Sequence, residues 1–146
     1  MAEPTPLSLE VGAYITSNVL AWINTWPGKP CDVTLEVTDK HPPAIMLQQL
    51  SGALIKRQYI NGDYIASFPF TVYVRTGGED TASRIDATAT LSAISEWMKA
   101  NYPDLGTGKI VSNVAMTALP AIAARYDNGH EDYSSLFEIE YTQKGN

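Results

Sequence analysis

The densest polar run in the chain is Asp127-Asn128-Gly129-His130-Glu131-Asp132. Clustered carboxylates beside an imidazole are the ingredients of a metal loop. A twelve-residue calcium loop needs oxygen ligands at its first, third and fifth positions before a glycine, and this spacing does not supply them. Asn128-Gly129 instead reads as the tip of a solvated hairpin turn. Gly106-Thr107-Gly108-Lys109 has the composition of the end of a phosphate loop. However, Pro103 stands where such a loop needs Gly, and Ile110 where it needs Ser or Thr. The cluster also follows a helical pattern instead of preceding one, so nucleotide binding is not expected. His41 lies among prolines with no G-x-S-x-G context, and Cys31 follows Pro30. A hydrolase built on His41 or His130 is therefore the weakest reading. Lys56, Arg57 and Arg75 are brought toward one another by a single hairpin pattern. Two readings of them stay open: an exposed face paired with carboxylates, or a cationic group meeting an acidic patch on a partner.

Composition narrows the classes further. The chain has 146 residues, the length of one domain, so 1–146 is read as a single α+β unit. Ten Lys plus Arg against sixteen Asp plus Glu give a net charge of −6, which disfavours nucleic-acid binding through a broad basic surface. One cysteine leaves no internal disulfide and no four-cysteine zinc site. No apolar run approaches the ~20 residues of a membrane span, and MAEPTPLSLE lacks the basic and apolar regions of a signal peptide. Neither cofactor nor metal is expected.

The elements follow from periodicity. Residues 1–7 carry Pro4 and Pro6 and read as a mobile N-terminal arm or a short extended one. Ser8 is a candidate N-cap for a helix from about Leu9 to Asn24, with Val11, Ile15, Val19, Trp22 and Trp26 on one stripe and Pro27-Gly28 as its stop. Val33, Leu35 and Val37 alternate as a half-buried strand. Asp39 to Pro43 is a loop, and Ile45 to Leu50 a second short strand ended by Ser51-Gly52. Leu54–Ile60 and Tyr64–Arg75 flank Asn61-Gly62, the preferred pair for a type I′ hairpin turn. In the second arm Tyr64, Ala66, Phe68, Phe70, Val72 and Val74 share one face. Pro69 puts that arm at a sheet edge, or at a bulge where the hairpin leaves the sheet. After Gly77-Gly78, Asp80 or Thr81 caps a second helix to about Asn101, with a stripe of Ala87, Leu91, Ile94 and Met98. Ile110–Ala118 is a strand interrupted by Pro120, and Tyr133–Tyr141 the last strand, with Phe137, Ile139 and Tyr141 inward. The sum is an α+β fold: a mostly antiparallel sheet, two helices on one face, and a long protruding β-hairpin.

The order of an N-terminal helix, AIMLQQLSGALIKRQYINGDYIASFPFTVYVRTG, a second helix, a strand and YDNGHEDYSSLFEIEY resembles the tail terminator, or minor capsid, family of siphophages. The likeness covers about Leu9 to Tyr141. Its strongest parts are Lys56 to Arg75 and the closing aromatic strand. The resemblance implies a homohexameric ring at the head-proximal end of the tail tube. There the ring stops tail polymerisation and joins the tail to the head–neck complex. It implies no catalytic residues and no membrane. The partners are other copies of the chain, the major tail tube protein and a head–neck connector protein, with DNA only as cargo in the lumen. Its location would be the virion tail or neck, after assembly in the host cytoplasm.

Placed on that scheme, Lys56, Arg57, Tyr59, Asn61, Gly62, Tyr64 and Arg75 of the hairpin are expected at subunit or ring contacts. Asp104, Lys109, Asp127, His130 and Asp132, in two exposed turns, are expected at axial contacts. Most of Lys56, Arg57, Arg75 and Arg84 are expected to meet acidic surfaces of a neighbouring subunit or the tube. The alternatives are a head-completion or neck connector protein, and a small non-enzymatic α+β binding module.

Overall fold

The computed structural model of the chain describes residues 5–6, 9–35, 42–50, 54–77, 81–106 and 108–144. Pro4, Ser8, Val37, Asp39, His41, Ser51, Gly52, Gly78, Asp80 and Thr107, named above, lie outside the described residues, as does the side chain of Val11. The order is β1 (Thr5–Pro6), α1 (Leu9–Ile23), β2 (Val33–Leu35), β3 (Ala44–Gln49), β4 (Leu54–Gln58), β5 (Tyr64–Thr76), α2 (Thr81–Ala100), β6 (Lys109–Arg125) and β7 (Glu131–Gln143). All seven strands form one sheet. Every pairing is antiparallel except β2 with β3. The fold is α+β, with helices packed on the sheet.

β5 is the central strand. β7 pairs with its whole length, from Tyr64↔Gln143 to Thr76↔Glu131. Its other side is shared: β4 runs beside residues 64–67 and β3 beside residues 70–75. Pro69 stands at the seam between them, where its carbonyl accepts the Leu50 N–H at 3.2 Å. In an antiparallel strand the N–H and C=O of one residue face the same side. The donor that proline lacks would thus point at the gap where neither neighbour is in register. Pro69 is therefore inside the sheet, opposite Glu138, and not at an edge or a point of departure. That is why a proline is tolerated in a central strand.

The even face of β5 is apolar, as its alternation requires: Ala66, Phe68, Phe70 and Val72 are fully buried. Phe70 stacks on Phe137 of β7 at 5.4 Å. The helices cover this face. Ile15, Val19 and Ile23 of α1 and Ala87, Leu91, Ile94 and Met98 of α2 join the same core. Each such large side chain contributes roughly 1.5–3 kcal/mol of burial. Ile23 takes the inward position that spacing alone assigned to Trp22. Trp22 instead stacks on Trp97 of α2 at 5.3 Å and donates its indole N–H to the Asn101 carbonyl at 2.7 Å, joining the two helices. Asn24 ends α1. Its side chain donates to the Val33 carbonyl at 2.9 Å and accepts the Val33 N–H at 2.8 Å, which clamps the helix end to the start of β2.

Thr5–Pro6 pairs antiparallel with Leu54–Ile55, so this part of the arm is extended and adds a short strand to the sheet. At the far edge β6 runs through Pro120 without ending. It has 17 residues against 13 in β7, and the excess is taken up at four register shifts, one of them spanning Pro120. Such bulges bend and twist the strand they occupy.

Candidate assembly surfaces

The two Asn-Gly tips share one construction. In Tyr59–Asp63 the Tyr59 N–H donates to Asp63 O at 2.8 Å and the Gly62 N–H to Tyr59 O at 3.1 Å. In Tyr126–His130 the same bonds measure 2.9 Å and 3.0 Å. Asn61 Oδ1 accepts the Asp63 N–H, and Asn128 Oδ1 the His130 N–H, both at 3.0 Å. Only the glycines are left-handed, with φ of 93° at Gly62 and 90° at Gly129. Both are thus type I turns followed by a glycine bulge. This corrects the type I′ expectation, which needs positive φ at Asn61 as well. The cause is the closing pair: Tyr59 bonds Asp63, so the loop holds one residue more than a type I′ hairpin.

The register places these turns at opposite ends of the sheet. Tyr59–Asp63 lies at the Tyr64 end of β5, and Tyr126–His130 at the Thr76 end. The Asp104–Lys109 turn sits with the first, because Lys109 pairs with Gln143 and the Lys144 N–H reaches Gly108 O at 2.8 Å. Asp104 folds its carboxylate onto the Gly106 N–H at 2.9 Å, and its side chain is exposed, while Lys109 is half-buried. At the first tip Arg57, Tyr59, Asn61 and Gly62 are exposed and Ile60 is fully so, while Tyr64 is half-buried. At the second tip Asp127, Asn128 and Gly129 are exposed and His130 half-buried.

Two expected contact residues are not surface groups. Arg75 and Asp132 are each 4% exposed and bind each other through two hydrogen bonds, Nε to Oδ1 at 2.7 Å and Nη2 to Oδ2 at 2.9 Å. Tyr126 lies against the guanidinium, 4.9 Å from ring centroid to Cζ, and donates its hydroxyl to Asp132 at 2.7 Å. The hydrogen bond to Asp132 outweighs burial and raises the Arg75 pKa. A subunit contact through Arg75, or an axial one through Asp132, is therefore replaced by a buried pair inside one chain.

The neighbouring Glu131 is also buried. It accepts from Arg84 at 3.0 Å and from Arg125 at 2.9 Å. Burial acts to raise its pKa, but the Arg125 hydrogen bond, the Arg84 charge and hydrogen bond, and Tyr133 together hold it below the usual value. A carboxylate so held is a structural anion, not a proton donor near neutrality. The polar run thus divides, with Asp127 to Gly129 in solvent and Glu131-Asp132 pinned beneath.

The cations do not gather. Arg57 is opposite Ile65, and Arg75 lies ten residues further along β5, about 33 Å away at ~3.3 Å per residue. Lys56, at a bulge in β4, reaches across β5 to Glu138 at 2.8 Å and Glu140 at 3.3 Å, and the Glu138 bond chiefly raises its pKa. Lys56 thus pairs with carboxylates, the first of the two readings above, and Arg75 and Arg84 likewise meet carboxylates of their own chain. Sequence reasoning missed both arginine–carboxylate clusters. The available signal was the mirrored Tyr-x-Asn-Gly motif, which sets each turn and with it the register.

A further surface is the outer edge of β6, which among the described residues pairs on one side only. From Ile110 to Ala124 it carries no charge, and Ile110, Leu119 and Ile122 are exposed by 56%, 81% and 40%. Among the described residues no cluster of His, Cys, Asp or Glu is arranged to hold a metal, and no helix is long and apolar enough to cross a membrane. No family model matches the chain, and no curated protein matches it in sequence.

Proposed function

We propose that the chain is the ring-forming terminator subunit of a tailed bacteriophage. In this reading it is a virion protein that caps the head-proximal end of the tail tube, stops tail polymerisation and joins the tail to the head–neck connector. The observation that carries this reading is the distribution of open surfaces on one small sheet. A strand edge without charges from Ile110 to Ala124, unpaired among the described residues, runs along β6, and exposed turns stand at both ends of the strands. Natural proteins protect long edge strands with charges, prolines or bulges, or cover them. Pro120 and the bulges interrupt the β6 ladder, yet Ile110, Leu119 and Ile122 stay exposed between its charged ends, Lys109 and Arg125, and a second copy is what would cover them. Head-to-tail contacts of this kind close into rings when the rotation allows.

The turns at opposite ends then serve the two axial partners, the tube protein on one side and the connector on the other. A terminator needs such unlike ends, because a subunit alike at both would keep stacking. DNA passes through the bore as cargo. The intramolecular pairing of Lys56, Arg75 and Arg84 supports weak affinity for phosphate. The test is light scattering and electron microscopy of the chain, alone and with purified tail tubes, beside a Leu119→Lys, Ile122→Lys variant. The wild type should form rings on tube ends. The variant should fold with an unchanged unfolding midpoint and fail to assemble. A variant that forms rings as the wild type does would refute the edge contact. A wild type that stays monomeric even on tubes would refute the function.

A further inference from the structure

We propose that Asn128 is a self-modification site, a turn asparagine whose deamidation is assisted by His130. The two hairpin tips supply an internal control. Both present Asn followed by Gly, the least hindered backbone nitrogen for attack on a side-chain amide. In both, a backbone N–H at 3.0 Å polarises the Asn carbonyl. In both, the attacking glycine N–H is engaged by a tyrosine carbonyl, at 3.1 Å for Gly62 and 3.0 Å for Gly129. Nucleophile, electrophile and restraint are therefore matched, and both tips are open to water.

The residue after the glycine differs. At Asn128 the leaving nitrogen, Nδ2, lies 3.1 Å from His130 Nδ1. At Asn61 the equivalent position is Asp63, whose carboxylate is 3.6 Å from Lys144. In the resting turn the Asn128 amide donates to the imidazole. When Gly129 N bonds to Asn128 Cγ, its own proton passes to solvent and Nδ2 becomes an amine with a free lone pair. His130 Nδ1, the acceptor in the resting turn, takes a proton from solvent as Gly129 gives one up, and passes it to that amine. The Cγ–Nδ2 bond breaks, ammonia leaves and a succinimide closes. Water opens the ring at either carbonyl to aspartate or isoaspartate, and the imidazole ends as it began. The net reaction is one water in and one ammonia out, with no other reagent. A carboxylate at position 63 has no N–H to donate and repels the negative charge that develops on the attacked oxygen. The product adds one negative charge, and for isoaspartate one backbone carbon, to the exposed tip at the Thr76 end of the sheet.

The experiment is peptide mapping by mass spectrometry of the full chain aged in neutral buffer, scoring the conversion of each asparagine. Asn128 should convert roughly tenfold faster than Asn61, well short of the 10²–10⁴ of an organised enzymic acid. His130→Gln should bring Asn128 to the Asn61 rate. Asp63→His should raise Asn61 toward the Asn128 rate, which a merely loosened turn at position 130 would not do. Equal rates in the wild type, an Asn128 rate unchanged or increased in His130→Gln, or an Asn61 rate unchanged in Asp63→His would each overturn the proposal. It does not depend on ring formation, so the two readings fail separately.

Discussion

Replacing Arg75 by Met removes a guanidinium from a site 4% exposed and leaves Asp132, also 4% exposed, without its charge partner. Of the hydrogen bonds that its carboxylate accepts from described residues, Asp132 would lose those from Arg75 at 2.7 Å and 2.9 Å and keep that from Tyr126 at 2.7 Å. Breaking one side of a buried ion pair costs about 3–5 kcal/mol, because the surviving charge stays desolvated. Against a total stability of about 5–15 kcal/mol this is a large share. For a chain of this length it lowers Tm by roughly 6–20 °C, at about 2–4 °C per kcal/mol. Urea unfolding followed by circular dichroism at constant m measures the loss directly. The double variant Arg75→Met, Asp132→Leu removes both charges together and should recover most of the loss, since apolar replacement of a whole pair is often neutral. The Tyr126 hydroxyl that it frees is on a 37% exposed residue and can turn to water. A single-variant loss below about 1 kcal/mol, the worth of an exposed pair, or a double variant as damaged as the single, would refute the burial argument.

Tyr141 is fully buried and its hydroxyl has no partner among the described residues, so Tyr141→Phe should gain roughly 1–3 kcal/mol in urea unfolding. Burial also pushes its pKa up from 10.0, so the neutral phenol's contribution is whole below pH 10 and is lost above it; the Phe variant should lack that alkaline loss. Gly62→Ala and Gly129→Ala should each cost about 1–2 kcal/mol, because φ near +90° burdens any Cβ; a stable Gly129→Ala would put the turn in another conformation. Glu131 is lowered below 4.5, so its contribution is present above that value and disappears as pH falls through the lower folded pKa. Glu131→Gln should therefore flatten the acid limb of a stability–pH curve, and an unchanged limb would mean the arginines do not hold the carboxylate.

Local pattern was enough for the elements. Ala87, Leu91, Ile94 and Met98 recur at helical spacing and are buried, because a helix can hide only the stripe that its 3.6-residue period aligns. Ala66, Phe68, Phe70 and Val72 alternate and are buried for the corresponding reason in a strand. Asn-Gly located both turns, although the turn type depended on which pair closed the loop. Pairing was not legible. Nothing local to Tyr64–Thr76 says that one side will be shared by two strands, and so Pro69, an edge signal in isolation, proved to fill a seam. The same gap in knowledge misassigned the charges. Arg75 and Asp132 are 57 residues apart, and a side chain's solvation is set by what the register brings beside it, not by its sequence neighbours. Residue type and period thus determined the helices, the strands and the apolar face. Only the tertiary structure decided which carboxylates lie buried under arginines, which turns stand at opposite ends, and which strand edge is left open, since these depend on long-range pairings that chain-local chemistry does not encode.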